Sequence, residues 1–264
     1  GELVAAAAES APMAFIGVRG CELAAIRVMD RVFCGSPGEP GYSARRQDLL
    51  IIAVNCSQAA STCFCASTGD GPAVDEGADL VLTEVNPDDP WYLVEARSDA
   101  GAELLETLGG SDASRAELDA GSAAIDRARH QMSRQLHAED LGEALLQKLD
   151  HPHWEDVAER CLACGNCTQV CPTCFCSTTR ELTDPVSLDV DHVRQWDSCF
   201  TEQHSYVHGG VVHGSVKSRY RQWLTHKLGS WPAQFGVSGC TGCGRCIAWC
   251  PVGIDLTREM QQLR

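Results

Sequence analysis

Apolar positions in the first 110 residues recur in short runs, not long stripes. Phe15-Ile16-Gly17-Val18, Leu49–Val54, Leu80-Val81-Leu82 and Trp91–Val94 are bounded by turn-forming residues and predict strands. Between the first two runs, Leu23, Ala24, Ile26, Val28 and Val32 suit a helix over Cys21–Phe33. Gly35–Gly41, reading Gly-Ser-Pro-Gly-Glu-Pro-Gly, predicts a loop. Strands interleaved with a helix predict an α/β domain over residues 1–110. The period then lengthens. Leu118, Ile125, Met132 and Leu136 recur at helical intervals, and Leu141, Leu145 and Leu149 continue after a break expected near Gly142. Ser114 and Glu117 have the spacing of a capping box. Residues 111–155 therefore predict a helical connector, ending in a short helix over Pro152–Arg160 with proline in its first turn. Residues 156–264 form a third region, with helical patterning at Val216–Leu228. The fold class expected is α+β: an N-terminal α/β domain, a helical connector, and a mostly α-helical C-terminal domain.

Composition changes the picture through cysteine. Sixteen of the 264 residues are Cys. Disulfide scaffolds are short and secreted, whereas this chain is long and shows no signal peptide, and its cysteines step by two and three residues as in metal loops. A reducing, cytoplasmic location is expected. The chain starts at Gly1 and not at Met, so an upstream part is expected. No apolar run approaches the roughly 18–20 residues of a transmembrane helix, so no membrane insertion is expected. The net charge of −15 argues against a nucleic-acid or anionic-membrane surface.

Two segments carry the strongest chemical signal. Cys161-Leu-Ala-Cys-Gly-Asn-Cys-Thr-Gln-Val-Cys-Pro and Cys240-Thr-Gly-Cys-Gly-Arg-Cys-Ile-Ala-Trp-Cys-Pro both read C-x2-C-x2-C-x3-C-P. Three thiolates at three-residue steps let a short loop wrap one [4Fe–4S] cube, with Gly165 and Gly244 permitting the turns. The fourth cysteine, followed by proline, leaves in another direction, and in two-cluster ferredoxins it ligates the other cube. Crossed ligation then gives one site of Cys161, Cys164, Cys167 and Cys250 and a second of Cys240, Cys243, Cys246 and Cys171. Structural zinc normally takes two separated cysteine pairs, unlike this spacing. The 68-residue insert of residues 172–239 is far longer than the link of compact two-cluster ferredoxins and suggests a helical ferredoxin-like domain.

Of the other eight cysteines, Cys21, Cys56, Cys63 and Cys65 follow the first two predicted strands. Loops after strand ends gather at one edge of an open α/β sheet, so these four thiols are candidates for a third [4Fe–4S] cluster. Zinc with the same ligands, or four buried free thiols, are the alternatives. Thr-Cys-Phe-Cys occurs at 62–65 and again at 173–176; Cys174, Cys176 and Cys199 number only three, and no fourth ligand is spaced to join them. The histidines show no ligand spacing. Lys217, Arg219, Arg221 and Lys227 read as a solvated helix face or a docking patch. No G-x-G-x-x-G or P-loop occurs, so no nucleotide site is expected. Two paired cubes without a substrate fingerprint predict an electron-transfer protein with no catalytic residue of its own.

The cysteine motifs sit within a wider pattern: Gly17-Val-Arg-Gly-Cys-Glu-Leu, Val54-Asn-Cys, Thr62-Cys-Phe-Cys, Leu80–Glu84, Cys171-Pro-Thr-Cys-Phe-Cys, Trp196-Asp-Ser-Cys and Cys250-Pro-Val-Gly-Ile-Asp. In this order they resemble the beta subunit of cytoplasmic sulfhydrogenases, multi-subunit [NiFe] hydrogenases that also use NAD(P). The pattern is similar, too, to the iron–sulfur subunit of anaerobic sulfite reductases. The resemblance spans roughly residues 14–258. It implies an iron–sulfur subunit beside [NiFe] hydrogenase small and large subunits and a flavin/NAD(P)-binding subunit, relaying electrons between those modules or to an external acceptor. The alternative it leaves open is a subunit of a sulfur-, polysulfide- or sulfite-reducing complex that uses cysteine chemistry.

Overall fold

The computed structural model of the chain describes residues 11–86, 88–136, 141–187 and 189–263. The N-terminal run of residues 1–10 lies outside them. The chain forms two compact units, Gly1–Leu136 with Thr241–Cys243, and His137–Cys240 with Gly244–Arg264. Both helices and strands are abundant, and the class is α+β.

The first unit is built on a four-stranded sheet of β1 (Met13–Arg19), β2 (Leu49–Asn55), β3 (Leu80–Glu84) and β4 (Tyr92–Ala96), in that spatial order. β1, β2 and β3 run parallel, and β4 returns antiparallel. Helix α1 (Gly20–Phe33) follows β1 without a linker and buries Leu23, Ala24 and Val28; Leu23, with Ile26 beside it, packs with Val18, Ile51, Ala53 and Val81. Burying this apolar surface stabilises the unit by roughly 25 cal/mol for each Å² removed from water. It also fixes where β1 and β2 end, and hence where their following loops begin. Helix α2 (Pro40–Gln47) starts inside the run expected to be a loop: Pro40 occupies the first turn and the Glu39 carboxylate accepts from the Tyr42 N–H, so proline here opens a helix. A short α3 (Cys65–Thr68) and then α4 (Asp99–Leu108) follow in the unit.

Helix α5 (Arg115–His130) has the expected capping box, Ser114 with Glu117. It stops at His130, so Met132 and Leu136 lie beyond it, and the break falls well before Gly142. Its buried stripe is Gly121, Ala124 and Ala128, whereas Leu118 is exposed. The small residues, not the larger apolar ones, admit close packing against the sheet.

In the second unit, α6 (Leu141–Leu146) contains Gly142 within the helix, where a β-carbon would stand 3.0 Å from the Gly229 carbonyl oxygen. Close helix approach, not helix breaking, explains that glycine. Helix α7 (His153–Arg160) leads into the first cysteine motif and α8 (Asn166–Gln169) completes it. The insert begins with an antiparallel hairpin, β5 (Ser177–Thr183) and β6 (Val190–Trp196), which had no apolar alternation to announce it because both faces are largely exposed. A smaller pair, β7 (Tyr206–Val207) and β8 (Gly210–Val211), follows. Helix α9 (Val216–Leu224) then runs through a π-helical turn (Thr225–Ser230) into α10 (Trp231–Phe235). The second motif carries α11 (Arg245–Ala248), and α12 (Leu256–Gln262) ends the unit. Glu259 on α12 accepts from Arg160 Nη2 at 3.0 Å on both oxygens and lies 2.7 Å from His153 Nε2, which anchors α12 to α7.

Candidate metal centres

The two cysteine motifs fold alike. In each, a glycine with positive φ, Gly165 at 74° and Gly244 at 71°, caps a four-residue helix that carries the third cysteine of the run. Non-glycine residues avoid this backbone region, so the turn depends on glycine. Ala163, between the first two thiols of its run, also has a positive φ of 49°. Such strain in a non-glycine residue collects where a loop must wrap something.

Cys161, Cys164, Cys167 and Cys250 line one cavity in the second unit, together with Cys246. Its remaining wall is mostly apolar and aromatic, with Phe200, Tyr220, Trp223, Ile254 and Leu256. The Ala163 N–H donates to Cys161 Sγ at 3.4 Å and the Ile254 N–H to Cys250 Sγ at 3.3 Å. Burial pushes the Cys167 thiol up to about 12 and raises Cys161, so these sulfurs become thiolates only when a cation compensates them. Tyr220 Oη and Trp223 Nε1 are buried with no hydrogen-bond partner among the described residues. A donor left in this way costs about 1–3 kcal/mol. Sulfur acceptors inside the cavity would satisfy both. Thiol donors, an apolar wall and orphaned donors together fit an iron–sulfur cube.

Cys171, half-buried, lies beside Lys227 of the π-helical turn. The Lys227 ammonium donates to Cys171 Sγ at 3.3 Å, Thr173 Oγ1 at 2.9 Å and the Gly239 carbonyl at 2.9 Å. A hydrogen bond from Cys174 lowers the Cys171 pKa well below the usual thiol range, against burial and with help from the Lys227 charge. Burial alone would lower Lys227, but negative charge at Cys171, Cys174 and Cys240 outweighs it, and the ammonium stays charged. Lys227 is 3% exposed. It is neither a solvated helix face nor a docking patch. Lys217 pairs with Glu155, while Arg219 and Arg221 donate to the carbonyls of Phe200 and Leu149. Sequence spacing missed this because the α-helical period breaks into a π-turn just before Lys227, rotating it inward.

In the first unit, β1 and β2 deliver Cys21 and Cys56 to the carboxyl edge of the sheet, and Cys63 and Cys65 follow in the loop after β2. Burial raises Cys21, with charge at Cys243 and Cys65 adding to it. Burial pushes Cys65 up to about 12, reinforced by Cys63 and Cys56, and raises Cys56 as well. Cys65 thus stands within electrostatic reach of Cys21, Cys56 and Cys63. Cys243 belongs to the same unit, and its carbonyl lies 3.9 Å from Cys63 Sγ. The Phe64 N–H donates to the Gly242 carbonyl at 2.8 Å, and Phe64 is fully buried. Gly242 has φ of 63°, and a β-carbon there would sit 2.5 Å from Cys65 Cα, so only glycine permits this approach. Among the described residues, no three His, Cys, Asp or Glu side chains converge closely enough to chelate a single ion.

Residues 160–254 match the family described as 4Fe-4S dicluster domain, and residues 121–175 match a second family of the same description. With the paired motifs and their thiol-lined cavity, this defines an iron–sulfur electron-transfer protein that carries [4Fe–4S] clusters. Over 251 residues the chain is 31% identical to sulfhydrogenase 2 subunit beta of Pyrococcus furiosus, a match covering 94% of this chain and 73% of the relative. The chain belongs to the sulfhydrogenase beta subunit family. No solved structure matches it. No described helix is long and apolar enough to cross a membrane.

Proposed function

We propose that this chain is the electron-relay subunit of a cytoplasmic [NiFe] hydrogenase of the sulfhydrogenase type, working between the hydrogenase small and large subunits and a flavin/NAD(P)-binding subunit. The observation that carries the reading is the contact inside the first unit between the two kinds of thiol loop. The backbone of Gly242 and Cys243, from the second motif, is hydrogen-bonded to Phe64 and stands against Cys63, from the N-terminal thiol group. A relay needs its centres joined by short, rigid covalent and hydrogen-bonded links, and this pairing supplies one. When bound, the clusters supply one-electron transfer over a wide range of potentials.

Crossed ligand sets are part of this reading, supported by the cavity that Cys250 shares with Cys161, Cys164 and Cys167. Cys161, Cys164, Cys167 and Cys250 share one cavity and hold one cube; Cys240, Cys243, Cys246 and Cys171 hold the second; Cys21, Cys56, Cys63 and Cys65 hold a third. Lys227 then places a buried positive charge on a ligand of the second cube. Lys227→Met is expected to lower that cube's reduction potential by on the order of 100 mV, the scale of one charge a few ångström away at an effective dielectric near 20. An EPR-monitored redox titration measures the shift, with iron content as the control; an unmoved potential removes Cys171 from the cluster.

Anaerobic purification of the native protein tests the wider reading. It should bring down flavin- and nickel-containing partners, and the isolated chain should be reduced by dithionite while showing no turnover of hydrogen or NAD(P)H. Turnover by the chain alone would mean that it is catalytic and not a relay.

A further inference from the structure

The insert of the second unit builds another thiol site, one that neither ferredoxin motif uses. A cavity of about 480 Å³ is lined by Cys174, Cys176 and Cys199, by His204, and by Lys227 and Trp231. Cys176 lies at the mouth of β5 and Cys199 just beyond β6, so pairing of the hairpin brings its two ends, and these two thiols, together. Their side chains are in hydrogen-bonding contact.

Three thiols lack a fourth partner in the sequence, and the structure provides one. His204 Nδ1 lies 3.2 Å from Asp197 Oδ2, and Asp197 is in turn held by its own chain, its N–H bonded to the Cys176 carbonyl at 3.0 Å. Histidines that bind metal through one ring nitrogen usually give the other to a carboxylate, which fixes tautomer and ring orientation. Here the carboxylate engages Nδ1 and leaves Nε2 for a ligand. A second, separate observation comes from a residue that lines the same cavity. Trp231 is 1% exposed and its Nε1 is buried without a hydrogen-bond partner among the described residues. A sulfur acceptor within the cavity would satisfy that N–H, in the way hydrogen bonds to sulfur tune iron–sulfur centres. Lys227 adds positive charge to the wall, suited to an anionic guest. Among the described residues these side chains do not converge closely enough to chelate a single ion, which sets the site apart from the tight tetrahedron of zinc.

We propose that Cys174, Cys176, Cys199 and His204 hold a further [4Fe–4S] cluster, with His204 Nε2 as its nitrogen ligand and Asp197 as the residue that orients it. This rests on the iron–sulfur reading of the chain but not on the hydrogenase role or on the N-terminal site.

The test compares the anaerobically reconstituted full chain with Cys199→Ser and His204→Cys, reading iron, acid-labile sulfide and zinc, with far-UV circular dichroism and the EPR signals of the motif cubes as fold controls. Cys199→Ser should lose about four iron and four sulfide per chain relative to the parent while keeping the motif signals. His204→Cys should keep its iron, because a thiolate replaces the imidazole. With ¹⁵N-histidine labelling, the parent should show a nitrogen coupling by pulsed EPR that His204→Cys abolishes. Unchanged iron and sulfide in Cys199→Ser, or stoichiometric zinc lost in their place, overturns the cluster. Absence of nitrogen coupling in the parent overturns the histidine ligand, and decides that point even if Cys199→Ser does not fold. Loss of all iron–sulfur signals from the parent would instead reject the relay reading itself.

Discussion

In Cys250→Ser, the cube lost is expected to be the one bound by Cys161, Cys164 and Cys167, although Cys250 lies only four residues beyond Cys246. The reason is local. Cys250 lines the same cavity as those three thiols, and charge at Cys250 raises Cys161 and Cys167. The Ile254 N–H aimed at Cys250 Sγ and the Ala163 N–H aimed at Cys161 Sγ hold both sulfurs in place. Iron content alone cannot say which cube has gone, but double variants can. If Cys164 and Cys250 serve one cube, Cys164→Ser/Cys250→Ser loses about four iron, no more than either single variant. Cys243→Ser/Cys250→Ser then loses about eight, because two cubes are hit. Cys171→Ser is the mirror case and should act with Cys243→Ser, not with Cys164→Ser. The opposite pattern of additivity would establish uncrossed ligation.

Much of this was legible before any coordinates, and the reasons differ from place to place. The four strands of the first unit and α1 were readable because each apolar run is short and bounded by turn residues. The Ser114–Glu117 cap is a local rule satisfied locally. The cluster loops were readable because metal spacing is written in adjacent residues. What escaped the sequence depends on contacts between distant segments. Gly142 looks like a helix breaker until Gly229 is seen against it. Lys227 looks like surface charge until the π-turn directs it to Cys171, 56 positions away in the chain. The hairpin β5–β6 has polar residues on both faces, so no alternation marks it. It is nonetheless what brings Cys176 to Cys199 and sets Asp197 beside His204. A histidine ligand is invisible to spacing rules when its partners come from the two ends of a hairpin. The sign that could have raised it is Trp196-Asp-Ser-Cys, a carboxylate and a thiol two residues apart and shortly before a histidine.

Cys63→Ser should remove about four iron and leave both motif cubes reducible. The four thiols of the candidate site are buried or half-buried at a sheet edge, and burial raises Cys21, Cys56 and Cys65, so without metal those three are neutral side chains. Neutral thiols would pack there at little cost, but they would not explain why the other three gather within electrostatic reach of Cys65. A cube does, because it needs four thiolates around one space and compensates them all at once. The strands also matter: β1 and β2 pair in parallel register up to Arg19 and Val54, so Cys21 and Cys56 are positioned by the sheet and not by a free loop. Rigid elements hold a metal site more exactly than loops do. Cys34→Ser is the control, since Cys34 is exposed at the end of α1 and its thiol accepts from the Ser43 hydroxyl at 3.8 Å. It should leave iron, sulfide and EPR spectra unchanged. Because Cys63 stands against the Cys243 carbonyl, Cys63→Ser should also shift the EPR line shape of the second cube without removing its iron. Loss of one zinc with iron unchanged would assign these thiols to zinc, and full retention of iron would leave them as packed cysteines with no cluster between them.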